Sequence, residues 1–198
     1  MWTAAGNKAL VVLIPFQSMP CLSNKGLLSH AGFTLIEMLV TISVATILVL
    51  VAAPSFVAFQ KNAQLSEAVS NFIAATTVTR SNAMKQGLKT YLVANDAVVG
   101  WSSGWMVYTD SNSNDTYEAS EDVLLRHEAI NSSVVISIPT TSSLTDGYVL
   151  YTGSGYPRLK NGGFGGSTMI MSNSSRSISI IIDPAGRVRS CITGSIGC

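Results

Sequence analysis

The stretch His30–Gln60 reads HAGFTLIEMLVTISVATILVLVAAPSFVAFQ, and its reading organises the rest of the chain. From Phe33 to Phe59 it runs 27 residues with one charged side chain, Glu37. A helix of about 20 apolar residues spans the ~30 Å hydrocarbon core of a bilayer, so this run predicts a membrane-crossing helix. An ionisable group inside such a segment costs roughly 3 kcal/mol unless it is paired, and by default it marks a function. A glutamate that merely snorkels from the end of an ordinary anchor is the plainer alternative. The small-residue pair Ala31-Gly32 precedes the apolar run, the reverse of a secretory signal. Cleavage after Gly32 would therefore leave the apolar segment on the product, with Phe33 as its new N-terminus. Lys8 and Lys25 upstream fit a cytoplasmic leader.

Beyond the apolar run the pattern changes twice. Leu65, Val69, Phe72, Ile73 and Thr76 recur at helical spacing, with Gln64, Glu67, Ser70 and Asn71 on other faces. This predicts an amphipathic continuation of the helix to about Lys85, ending near Gly87. Pro54 predicts a kink or local unwinding within it. From Thr90 onward TYLVA, GWMVYTD, VLLRHEAI, SSVVISIP, DGYVLYTG, STMIMS and RSISIIID alternate with turn-rich stretches and read as antiparallel strands. The expected fold is α+β: a long N-terminal helix, membrane-spanning in its first half, packed by its second half on an antiparallel β-sheet domain. The expected boundaries are a leader at 1–32, an apolar helix at 33–60, its amphipathic continuation at 61–87 and a β-rich domain at 88–198. Met19 offers an internal start, which would place residues 1–18 outside the translated product.

Only 12% of residues are charged and the formal net charge is +1, but the signs are unevenly spread. Asp96–Asp146 holds eight acids and one arginine, whereas Tyr151–Cys198 holds five basic residues against Asp183. A basic C-terminal end is an electrostatic footprint without a named partner. Cys191 and Cys198 bracket CITGSIGC, a loop with two glycines that could bring the sulfurs together. A disulfide would fit an oxidising compartment, and unpaired thiols are the alternative. No Ser/His/Asp or Cys/His set is readable. His127, between Arg126 and Glu128, reads as a surface or half-buried strand histidine. The expectation is a chain that is not an enzyme and needs no cofactor.

Gly32-Phe33-Thr34-Leu35-Ile36-Glu37 followed by a long apolar helix resembles the class III signal of type IV pilins and type II secretion pseudopilins. The resemblance implies that a prepilin peptidase cuts between Gly32 and Phe33 and methylates the Phe33 amine. It also implies that Glu37 is an assembly residue, paired with that amine on a neighbouring subunit. Trp101–Ile130 is similar to the GspH/FimT group of minor pilins, so the resemblance covers residues 32–130 well and the tail more loosely. The implied location is the inner membrane, single-pass with a periplasmic ectodomain, and a pilus or pseudopilus fibre after assembly. The implied partners are other pilins or pseudopilins, major and minor.

Two downstream constellations are candidate binding sites. DSNSNDTYEASE places Asp110, Asn112, Asn114, Thr116, Glu118 and Glu121 at the ligand positions of a calcium-loop template. That template wants glycine where Asp115 stands, and its flanks read as strands, so a hairpin loop with Asx turns and no metal is the preferred reading. Asp183-Pro184-Ala185-Gly186 is a type I turn signal, predicting a hairpin of Ile178–Asp183 with Arg187–Cys191. If Val188 faces the core, Arg187 and Arg189 face solvent ~6.5 Å apart, comparable to the spacing of neighbouring phosphates. Arg158, Lys160 and Arg176 are expected to widen the patch. Gly186-Arg187-Val188-Arg189 resembles the GRxR motif of FimT-type minor pilins, which bind DNA during natural transformation. Two readings stay open for these arginines, double-stranded DNA or the acidic 110–122 region of the next subunit. Two machines also stay open, a type IV pilus and, as a GspH-like tip subunit without DNA binding, a type II secretion system.

Overall fold

The computed structural model describes residues 32–140, 142–196 and 198; residues 1–31, with Met19 and Lys25 of the expected leader, lie outside the described residues. The chain divides into two units, Met1–Val44 and Ala45–Cys198. Helix α1, Leu35–Gln86, starts in the first and ends in the second. In the first unit every described residue is exposed.

In the second unit α1 passes through Pro54 without a break, so of the kink or local unwinding expected there the unwinding is not observed. Proline removes one N–H from the ladder, and the bonds of the flanking turns suffice to keep the helix. From Leu65 the helix buries one face: Leu65, Ala68, Val69, Phe72, Ala75, Thr76, Thr79 and Ala83. Thr76 and Thr79, the polar members, donate their hydroxyls to the Phe72 and Ala75 carbonyls at 2.8 and 2.7 Å, so neither is buried without a partner. The helix stops at Gly87, whose φ of +70° suits glycine and whose N–H meets the Ala83 carbonyl at 2.8 Å.

Among the described residues the strands are β1 (Lys89–Ala94), β2 (Trp105–Asp110), β3 (Val123–His127), β4 (Val135–Ser137), β5 (Tyr148–Tyr151), β6 (Pro157–Arg158), β7 (Ser167–Ser172), β8 (Ser177–Ile182) and β9 (Val188–Ile192). They form two antiparallel sheets, ordered β3-β2-β1-β5-β6 and β4-β7-β8-β9. Alternation along the strands sorts their side chains. Leu92, Trp105, Val107, Val149 and Tyr151 of the first sheet and Met169, Met171, Ile178, Ile180 and Ile182 of the second share one core with the buried face of α1. Phe72 is central to it, with edge-on contacts to the Trp101 and Trp105 rings at 5.5 and 5.3 Å. The opposite face of the first sheet carries Tyr91, Met106, Tyr108 and Leu150. There Tyr91 and Tyr108, directly opposed on neighbouring strands, stack at 5.3 Å.

Candidate functional site

At the N-terminal signal, Phe33 is 76% exposed and Thr34 caps α1. The Glu37 N–H donates to Thr34 Oγ1 at 3.2 Å, and the Thr34 N–H donates back to Glu37 Oε2 at 3.3 Å. This is a reciprocal capping box, so the carboxylate has a local role at the helix start besides any role between subunits. The pattern Thr34-x-x-Glu37 was available in the sequence as its signature. Neither ion pair found among the described residues involves Glu37.

At the C-terminal hairpin, the Gly186 N–H meets the Asp183 carbonyl at 2.8 Å, closing the turn, and the Asp183 N–H meets the Arg187 carbonyl at 3.0 Å. Arg187 therefore stands at the mouth of the turn, one residue before β9. Val188 packs against the core, while Arg187 and Arg189 are exposed. Asp183 accepts the Arg187 N–H at 2.9 Å, and its other oxygen is 3.4 Å from Arg187 Nε in a pair whose arginine is 74% exposed. Exposed pairs of this kind contribute little. Beyond β9, Cys191 and Cys198 are bonded, their Cα atoms 5.7 Å apart.

The turn is pinned from beneath by Arg80 of α1, which pattern reading of the sequence did not single out. Its Nη1 donates to the Gly186 carbonyl at 2.9 Å and its Nη2 to the Ala185 carbonyl at 3.1 Å. The Tyr151 hydroxyl donates to the same Gly186 carbonyl at 3.2 Å. Burial pushes Tyr151 up to about 12, opposed by Arg80 and reinforced by Asp183, so the phenol remains a neutral donor. Gly186 has φ +83°, and a Cβ there would lie 2.4 Å from the Gly155 carbonyl, so this position requires glycine.

The basic residues expected to widen the patch each make their own contacts. The Arg158 guanidinium lies 4.8 Å above the Phe164 ring. Lys160 donates to the Asp115 carbonyl at 2.7 Å and sits over the Tyr91 and Tyr148 rings. Arg176 stands at the opposite end of β8 from the turn, about 20 Å away along the strand. Spacing in sequence could not show that one strand length intervenes.

In the β2–β3 loop, oxygens of the calcium template accept backbone amides. Asp110 takes those of Asn114 and Asp115, Asn112 that of Asn114, Asn114 that of Thr116, and Glu121 those of Ser111 and Glu118. Among the described residues no group of three or more His, Cys, Asp or Glu side chains could hold a metal ion. The loop is fastened to the tyrosine face instead. Asp115 pairs with Lys89 Nζ at 2.5 Å and accepts the Tyr91 hydroxyl at 2.5 Å. Those bonds, that of Lys89 first, hold the Asp115 carboxyl below the usual aspartate range, while burial and then Asp115 push the Tyr91 hydroxyl up. His127 stacks on Trp105 at 4.4 Å, with Nε2 3.0 Å from Asn71 Nδ2.

Residues 68–186, more than half of the chain, match the family model described as type II transport protein GspH. The chain belongs to the GspH family. Residues 28–53 of this GspH-family chain match the prokaryotic N-terminal methylation motif, a span that includes Gly32, Phe33 and Glu37. The GspH match ends at Gly186, so Arg187 and Arg189 lie just beyond it. Among solved structures, the type IV minor pilin FimU of Pseudomonas aeruginosa PAO1 is similar in two crystal forms. One gives a TM-score of 0.53 at 15% identity over 69% of this chain and 98% of that one. The other gives 0.51 at 15% identity over 66% and 98%. The minor pseudopilin EpsH from the type 2 secretion system of Vibrio cholerae gives 0.49 at 8% identity over 67% and 99%. The likeness to FimU is one of fold, the long helix packed on antiparallel sheet. No curated protein sequence matches the chain.

Proposed function

We propose that this GspH-family chain is a minor subunit of a type IV pilus fibre. A prepilin peptidase cuts it between Gly32 and Phe33 and methylates the new amine. The apolar part of α1 then holds it in the inner membrane, with the β-rich domain on the periplasmic side, until it joins major and minor pilins in the fibre. In that transfer Glu37 pairs with the Phe33 amine of a neighbouring subunit. The observation that supports this reading is that every residue from Leu35 to Phe59 is exposed in a segment long and apolar enough to cross a membrane. Such a surface needs lipid or other helices around it.

On the finer function, we read Arg187 and Arg189 as contacts to the backbone of duplex DNA, serving DNA uptake in natural transformation. Support comes from their exposure on a turn that is fixed by Arg80 and Tyr151. Two guanidiniums so placed can position a phosphodiester chain without reading its bases. The GspH match favours a second reading, a pseudopilin of a type II secretion machine whose hairpin meets other subunits. The test is duplex binding by the mature full-length protein in detergent at several salt concentrations, beside an Arg187→Ala/Arg189→Ala variant. The DNA reading predicts binding that weakens with salt and a variant whose salt slope is smaller by about two, one per lost phosphate contact. Absence of binding at low salt would reject the DNA reading and leave an assembly subunit, of a pilus or of a secretion machine.

A further inference from the structure

Between α1, β5 and the β8–β9 turn lies a pocket of about 230 Å³ whose lining includes Thr77, Arg80, Tyr151, Gly186 and Arg187. Sites for drug-sized molecules start at about 300 Å³, so this volume suits a single small group. Its chemistry is cationic. Arg80 carries a full charge, and neither ion pair found among the described residues involves it. Two of its N–H groups go to the Ala185 and Gly186 carbonyls, which fix the guanidinium plane beside the pocket. Its Nε is buried and lacks an acceptor among the described residues. Arg187, mostly in solvent, stands on the same pocket with one long contact to Asp183. Asp183 is not part of the lining, and one of its oxygens is taken by the Arg187 N–H. Tyr151 remains a neutral phenol there, so it does not repel an anion.

We propose that this pocket seats one phosphate group of a nucleic-acid backbone, clasped between the guanidiniums of Arg80 and Arg187. Planar guanidiniums match tetrahedral oxyanions through paired N–H donors, and a small pocket lined by two arginines, Arg80 and Arg187, suits the several oxygens of a phosphate better than a single carboxylate. Arg189, about 6.5 Å along the hairpin from Arg187, then meets the next phosphate, so the chain of contacts begins at α1 and continues onto β9. The proposal rests on the DNA reading above and adds the helix residue Arg80 to it.

The test places a carboxylate in the seat without touching either arginine. Thr77 is exposed, and its hydroxyl only returns to the Ile73 carbonyl of its own helix at 2.8 Å. Thr77→Glu in the mature full-length protein is therefore compatible with the fold, and an unchanged melting temperature verifies this. The expected result is duplex affinity reduced about tenfold and a salt slope smaller by about one, with Ser175→Glu, on the β7–β8 turn, unchanged. The parallel measurement follows the Arg80 and Arg187 Nε–H resonances in inorganic phosphate, which should shift together and saturably in the wild type and not in Thr77→Glu. If the wild type binds DNA and Thr77→Glu binds equally, the seat is wrong and the DNA reading stands. If the wild type binds no DNA while phosphate still shifts both resonances, the DNA reading and the nucleic-acid ligand fall together, and the seat is one for a phosphate group from another source. Resonances indifferent to phosphate overturn the seat outright.

Discussion

Between Leu35 and Phe59 helix α1 exposes every side chain, whereas between Leu65 and Ala83 it buries a continuous face against two sheets. Both stretches are helical and rich in apolar residues, yet only the second has a core within its own chain. Burial against the sheets explains the second stretch, since removing apolar surface from water contributes roughly 25 cal/mol per Å². The first stretch has no such partner in the described residues, and its apolar surface makes sense only with lipid or with other subunits. Helix propensity is common to both regions, and the environment each demands separates them.

The two stretches should differ most at Phe72. Replacing it with alanine removes a ring packed on Trp101 and Trp105 and should cost the domain about 3–5 kcal/mol. Leu48→Ala, in the exposed stretch, should change domain stability by less than about 0.5 kcal/mol. Denaturant unfolding of the detergent-solubilised protein, followed by tryptophan fluorescence, measures both. Similar losses for the two variants would mean that the exposed stretch has a partner within the chain after all.

A smaller effect is expected at the β2–β3 loop. Asp115→Asn should cost about 1 kcal/mol at neutral pH, because the Asp115–Lys89 pair is about one-third exposed and partly screened. The carboxyl's folded pKa lies below its unfolded value, so its stabilisation is present above about pH 4 and disappears as pH falls through the folded pKa. Wild type and variant should therefore differ at pH 7 and converge once the pH lies below the folded pKa. A difference that persists at acid pH would show that the loss comes from the loop's shape and not from the charge.

The helix, its end at Gly87, the strand runs and the turn at Asp183–Gly186 were legible in the sequence, because each rests on a local signal: a period of 3.6, a period of 2, or a Pro-Gly turn. The division into two sheets was not legible, since β4 and β5 look alike in pattern and differ only in which neighbour they pair with. β6 escaped because two residues carry no period. At the candidate site, the exposure of Arg187 followed from the partial burial of Val188, as alternation predicts. Arg80 did not emerge, because its partners are backbone carbonyls more than 100 residues away. Lys160 and Arg176 were grouped with the hairpin by charge alone, and charge in sequence does not carry distance in space.

The account depends most on Glu37, whose carboxylate both caps α1 and is assigned a partner on another subunit. Glu37→Gln separates the two roles, because glutamine can still complete a capping box but carries no charge. The decisive measurement is the amount of Glu37→Gln protein recovered in sheared fibres, relative to wild type, from cells in which both are cleaved after Gly32. The account predicts normal cleavage and a large loss from the fibres. Wild-type recovery would contradict it and leave Glu37 as a helix cap only.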